Sequence, residues 1–342
     1  MWVGVLSVKV DRLVSLIIFQ SLVLLAALSF FVPASLSARQ IQVGGKPYVD
    51  LVSVGKSFGM QAYWLQGYKT FRLRSQWTTI DVGKKSRVLQ INRLPVHLGF
   101  PTVESKGQLF IAQADYRHVL QPILTPQVFR ERPGIRRIVI DAGHGGKDSG
   151  ACNDGHGLLE KDLTLDVSLR LKALLERADF EVVMTRDRDV YVPLDQRPKV
   201  ANRAKADLFI SLHFNAAASA SAAGFESYAL TPQFQASSKY SRPTSKDATR
   251  YKGNAHDPWN ALITYHLERA LVQRLGGPDR GMKRARFLVL KHLECPGVLT
   301  ELGFVSHAET ARKLRSPAFR QTLAQSLFEG IVAYRKRLQR IQ

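Results

Sequence analysis

Two cysteines in 342 residues are too few for a disulfide framework, which excludes a small stapled scaffold. Cys295 stands in an apolar setting that suits a buried thiol. In an exported chain it could pair with Cys152, but a bridge is not the expectation. Acid is scarce too: 28 Asp and Glu against 49 Lys and Arg leave a formal charge of +21. That balance favours an anionic partner such as nucleic acid, a membrane surface or a wall polymer. Long Lys/Arg blocks, zinc-finger spacings and RNP-type motifs are all missing, which sets nucleic acid aside. The cations are scattered instead, as in Lys84, Lys85 and Arg87, or Arg280, Lys283, Arg284 and Arg286. At 45% hydrophobic and 23% charged, the composition excludes a disordered chain. The length suits roughly two domains.

One apolar run is long enough to span a bilayer. Lys9 and Arg12 precede LVSLIIFQSLVLLAALSFF at 13–31, and the small residues VPASLSA follow. Residues 1–38 therefore read as a signal peptide or an N-terminal membrane anchor. Either implies export to the periplasm or cell envelope, with no later span.

Residues 39–125 read as a small α+β domain. GKPYVDLVSVGKSFGMQAYW (45–64) is answered by GQLFIAQADYRHVLQPIL (107–124), and the stretches between alternate like hairpin strands. The Gly-Lys-Pro-Tyr-Val, helix, Trp, hairpin pattern resembles the small repeat domain at the N-terminus of copper amine oxidases and on many secreted wall enzymes. Binding to the wall or to a partner is its expected role. His97 and His118 stand alone there, as surface or packing residues. A polar, proline-containing linker (126–135) follows.

From 136 to 342 the pattern alternates between strands and helices, predicting an α/β fold: a mixed, mostly parallel sheet flanked by helices. The strands are RRIVIDA, FEVVMTR, DLFISLH, GFESYAL, RFLVL and GVLTELG, and the helices 162–178, 259–275 and 317–338. On the first helix Leu163, Val167, Leu171, Leu174 and Ala178 share one face. The polar stretch 233–258 is expected to form a long surface loop bordering the site.

In such sheets sites gather beyond the carboxyl ends of the strands. His144 follows IVIDAG, His213 closes DLFISLH and Glu301 closes GVLTE, while Glu160 opens the first helix. Taken singly each has a plain structural explanation, a helix-dipole partner for Glu160 or a buried ion pair for Glu301. Together, two imidazoles and one carboxylate with an open position form the ligand set of catalytic zinc. Glu301 would then be the unligated carboxylate that accepts the proton of water. His156 is a rival ligand in a turn; His292, His256 and Asp257 fall in segments that could line the pocket. His266 and His307 read as structural, His307 as a helix cap.

IVIDAGHGGKDSGA, GLLEKDLTLDVSLRLKALLE, ANRAKADLFISLHFNA, RGMKRARFLVL and CPGVLTELGFVSHAET occur in the order found in zinc-dependent N-acetylmuramoyl-L-alanine amidases of the amidase 3 type, which this chain resembles over about 136–338. The resemblance implies one Zn2+ on His144, Glu160 and His213, with Glu301 catalytic and Asn215 and Arg280 near substrate. It implies peptidoglycan as substrate, cut between N-acetylmuramic acid and L-alanine; an envelope activator is a further candidate partner. A zinc peptidase acting within the stem peptide and a catalytically silent wall-binding protein are the alternatives. Some relatives carry a helical plug over the metal. Residues 231–257 are too polar for one, so an open site is expected. Cys152 departs from the family pattern.

Overall fold

A computed structural model describes residues 39–340, so the expected signal or anchor segment lies outside the described residues. Residues 39–340 lie in one compact unit. The first part is β1 (Gln40–Val43), β2 (Lys46–Asp50), α1 (Leu51–Ser57), β3 (Gln61–Trp64), β4 (Thr70–Arg74), β5 (Thr79–Gly83), β6 (Val88–Ile91), β7 (Leu94–His97), β8 (Val103–Ser105) and β9 (Gln108–Ala112). The hairpins expected between the two similar stretches are present, β3 through β7 forming an antiparallel meander.

The second part holds β10 (Arg137–Ala142), the short pair β11 (Cys152–Asn153) and β12 (Leu158–Leu159), and α2 (Glu160–Glu176). Then come β13 (Glu181–Met184), α3 (Gln196–Arg203), β14 (Leu208–Asn215), β15 (Phe225–Leu230) and α4 (Asp257–Leu275). The chain ends with β16 (Asp279–Ala285), α5 (Leu288–Lys291), β17 (Gly297–Phe304), α6 (Ala308–Leu314) and α7 (Pro317–Gln339). Strands β13, β10, β14 and β17 are parallel, and β15 lies antiparallel to β17. Next, β16 lies parallel to β15 and meets β7 at Met282 and Val96, so one sheet of 11 strands runs from β13 to β3.

Side chains alternate across a strand, and the burial follows. Ile138, Ile140, Leu208, Ile210 and Leu212 face α2, α4 and α7, burying Leu163, Val167, Leu171 and Leu175 of α2. Val139, Phe209 and Leu299 face the other way, against Ala201 of α3 and Leu290 of α5. Cys295 is buried in that second layer and Cys152 is exposed; both thiols are free.

Two readings of the sequence need correction. RFLVL is not a strand: Leu288–Lys291 is a helical turn with Val289 and Leu290 both buried, a neighbouring pair that a half-buried strand would split between faces. The strand is the charged DRGMKRA before it, and it tolerates Arg284 because the carbonyls of Leu230 (3.2 Å) and His118 (2.6 Å) accept its protons. The loop 233–258 does not border the candidate site. It leaves the end of antiparallel β15, the sheet edge opposite His213, and is tied to Arg87, Arg284 and Arg286. His256 and Asp257 go with it. Its only regular turns are Ser245–Ala248 and Lys252–His256, both 3-10.

Candidate active site

Parallel pairing sets His213 of β14 level with Glu301 of β17. On the other flank of β14, β10 ends at Ala142, two residues before His144. Three chemically competent groups thus reach one sheet edge by topology alone. His144 takes a left-handed φ of +60°, and Gly145 follows at +125°. That conformation costs a non-glycine residue ~1–3 kcal/mol and needs support. Two buried arginines give it. Arg197 donates to the carbonyls of Ala142 (2.8 Å) and His144 (3.0 Å), and Arg186 to those of Ala142 (2.9 Å) and Gly143 (2.8 Å). Arg197 also pairs with the fully buried Asp141 at 2.8 Å.

Glu160 is buried at the first position of α2, where the helix dipole favours its charge. Its Oε1 lies 3.0 Å from His144 Nε2 and 3.0 Å from His213 Nδ1, and accepts the Phe214 N–H at 2.9 Å. Its Oε2 accepts the Ala151 N–H at 2.8 Å. Burial pushes this carboxyl up, but the hydrogen bonds from His144 and His213 outweigh it and hold it far below the usual range. The imidazole centroids are 4.9 Å apart at 79°.

Two glycines make the space. A Cβ on Gly143 would lie 2.4 Å from His213 Cε1, and one on Gly150 would lie 2.6 Å from Glu160 Oε2. The donor atoms of His144, Glu160 and His213 all lie within 4.8 Å of one another, so the residues present fit a single metal ion. Zinc with bonds of about 2.0–2.1 Å sets its ligand atoms roughly 3.3 Å apart, close to the 3.0 Å that separates Glu160 Oε1 from His144 Nε2 and from His213 Nδ1. The other ring nitrogen of His144, Nδ1, lies 2.9 Å from Asp148 Oδ2, which leaves Nε2 for a metal.

Glu301 faces this group from β17, paired backbone to backbone with both His213 and Glu226. Its Oε2 is shielded from solvent and has no hydrogen-bond partner. Burial, then the charges of Glu160 and Glu226, push its carboxyl well up, against a weaker opposing pull from Lys283. Glu226 is the contrasting neighbour. It accepts from Asn215 Nδ2 (2.7 Å), Tyr228 Oη (2.8 Å), Arg280 Nε (2.8 Å) and Lys283 Nζ. Burial works against its charge, but those donors, Lys283 foremost, hold it below the usual range.

The structure therefore brings together His144, Glu160, His213 and Glu301, and gathers Asn215 and Arg280 on Glu226 beside them. His156 lies in the turn Asp154–His156 and outside the cluster. His307 caps α6, its Nδ1 accepting the Thr310 N–H at 3.3 Å. His292 sits against Tyr251 on another face. His97, half-buried near Lys283, is pushed down to about 4 by burial and then by that lysine. Sequence reasoning missed Asp148, Glu226, Arg186 and Arg197. Only Asp148 had a visible signal, an acid four residues beyond a strand-end histidine.

A mixed sheet carrying two histidines and a carboxylate at one edge, with a shielded acid beside them, defines an α/β protein with a candidate metallohydrolase centre. Residues 138–333 match the family described as N-acetylmuramoyl-L-alanine amidase, and the chain belongs to that family. It is 35% identical to the amidase LytC of Bacillus subtilis over 197 residues, covering 58% of this chain and 35% of that protein. It is 33% identical to the amidase AmiC of Escherichia coli over 226 residues, covering 60% of this chain and 54% of that protein. The chain thus spans about a third to a half of these two curated relatives. Among solved structures, the amidase AmiC2 of Nostoc punctiforme aligns at 31% identity and a TM-score of 0.49, over 60% of this chain and 99% of that one. Among the described residues no helix is long and apolar enough to cross a membrane.

Proposed function

We propose that the chain is an exported, zinc-dependent hydrolase of peptidoglycan that cuts the amide between N-acetylmuramic acid and L-alanine. The observation that carries this reading is the convergence of His144, Glu160 and His213 on one point, with the partnerless Oε2 of Glu301 beside it. His144, Glu160 and His213 would hold the ion. Zinc held there supplies Lewis-acid polarisation of the amide carbonyl and lowers the pKa of water towards neutrality. Glu301, low in competing hydrogen bonds, accepts the proton of the attacking water and returns it to the departing alanine nitrogen. Its raised proton affinity suits that exchange. Asp148 holds the tautomer of His144. Asn215 and Arg280, fixed by Glu226, face the substrate.

The net positive charge would draw the enzyme to an anionic wall, and residues 39–125 would dock there or on an envelope activator. The charged segment before the apolar run at 13–31 supports export by a signal peptide or a retained anchor. The test is incubation with purified peptidoglycan, with and without a chelator, and mass analysis of the fragments. Free stem peptides starting at L-alanine are expected, lost with chelator and in Glu301→Gln. Cleavage inside the stem peptide, or chelator-resistant activity, would overturn the reading.

A further inference from the structure

We propose a second binding site for the wall: a basic cavity beside Trp77 that takes a peptidoglycan strand, its sugar rings and the carboxylates of its stem peptides. It rests on the reading of peptidoglycan as substrate, but on none of the residues of the hydrolytic centre. The cavity, about 750 Å3, lies between the β4–β5 hairpin and helices α4 and α7. Its cations are Arg269 from α4, Lys336 and Arg337 from α7, and Arg340 just beyond; no Asp or Glu lines it. Arg337 donates to the Leu124 carbonyl at 2.9 Å, and among the described residues none of the four forms an ion pair. His266 in the same wall stays neutral, pushed down to about 3 by burial and by Arg269.

Trp77 stands at the rim with 80% of its surface exposed, the most exposed large hydrophobic side chain described. It lines a second depression too, with Gln61, Arg74 and Gln76, again without an acid. The hairpin tip beneath it is fixed, because Ser75 Oγ accepts the N–H groups of Trp77 (3.3 Å) and Thr78 (3.1 Å). An indole held open to water on a rigid turn wants an apolar face to cover it, and its edge leaves polar neighbours free. A pyranose ring offers such a C–H face. The amides and hydroxyls around Trp77 match sugar hydroxyls, and the unpaired cations match carboxylates. A membrane surface fits less well: the cations line a concavity, and the apolar residues that share it, such as Met60, Ile91 and Ile123, are buried rather than offered as an exposed face.

A second contact on a polymer raises the effective concentration of the reacting bond, so it matters for insoluble wall and not for a short fragment. The test uses the full chain, sedimented with intact peptidoglycan sacculi at several salt concentrations, against Trp77→Ala and the paired Arg269→Gln/Lys336→Gln. Each should weaken sacculus binding about tenfold, and the charge pair should also flatten the salt dependence. Turnover of sacculi should fall relative to turnover of a short soluble muropeptide. Binding as tight as the parent's in both variants would overturn the proposal. So would loss confined to vesicles of anionic phospholipid, which would assign Trp77 to a membrane. Trp77-dependent binding to sacculi by a chain that cleaves no muropeptide would keep this site and sink the amidase reading.

Discussion

Gly143→Ala is the sharpest perturbation of the site, because its effect is steric and its target is known. Gly143 lies outside the left-handed region, so alanine meets no backbone penalty there. The added methyl would sit 2.4 Å from His213 Cε1, 2.6 Å from Nε2 and 2.8 Å from Nδ1, where ordinary contact begins near 3.4 Å. The backbone cannot retreat easily, since Gly143 N donates to Leu212 O at 3.1 Å and Gly143 O accepts from Thr164 and Arg186. The imidazole must therefore move by about an ångström, which breaks its 3.0 Å approach to Glu160. Displacements of that order cost metal sites and catalysts about 10–100-fold, or roughly 1.4–2.7 kcal/mol. Zinc affinity measured by competition with a chromophoric chelator should fall by that factor, and amide hydrolysis with it. Melting of the metal-free chain controls for folding. Gly155→Ala, whose methyl would meet nothing nearer than 3.6 Å, controls for the loop. A folded Gly143→Ala protein with parental zinc affinity would refute the assignment of His213.

Asp148→Asn should lower zinc affinity about tenfold or more. In the metal-free chain it should also lower the pKa of His144 by NMR titration, since Asp148 is one of the two acids that raise it against burial; an unmoved titration would exclude the positioning role. Metal binding should release protons and tighten with pH, because His144 and Glu301 both hold their protons more strongly than usual in the metal-free site. Calorimetry in buffers of different ionisation enthalpy reads this, and a buffer-independent heat would contradict it. Glu268 is buried and its Oε1 is unpartnered; burial and then Asp279 raise its carboxyl well above 4.5. The folded state keeps a proton that the unfolded chain loses above about that value, so stability is greatest at low pH and declines as pH rises through the folded value. Glu268→Gln should therefore melt progressively higher than the parent as pH rises from about 4.5 towards 8, and parallel curves would refute it.

What could be read from the sequence was what leaves a local mark. The strands β10, β14 and β17 are buried on both faces, so they show as largely apolar runs, and parallel crossovers put their carboxyl ends on one edge. That made His144, His213 and Glu301 legible as a group. Strand β16 was hidden because its arginine is satisfied by carbonyls distant in sequence, and no periodicity announces that. The loop 233–258 was misplaced because β15 runs antiparallel to β17, and the direction of a strand leaves no trace in its composition. Arg186 and Arg197 look like surface cations in the sequence. Only folding shows that they hold the strained turn at His144.

Glu226 and Glu301 show why residue type alone could not assign roles. They pair across β15 and β17 at the same level of the sheet, and both are carboxylates shielded from water. Glu226 has an amide, a phenol, a guanidinium and an ammonium on its oxygens, so it stays ionised and has no lone pair to spare. Glu301 has an oxygen with no partner, and the charge of Glu226 beside it raises its proton affinity further. In the proposed mechanism two like groups in unlike surroundings divide the work: the neutralised one fixes Asn215 and Arg280, and the unneutralised one is left to exchange a proton. Lys283 matters to both, because it stabilises the charge on Glu226 and opposes the rise in Glu301. Burial and Glu160 dominate the proton affinity of Glu301, and Lys283 tempers it from β16, the strand whose charges concealed it in the sequence.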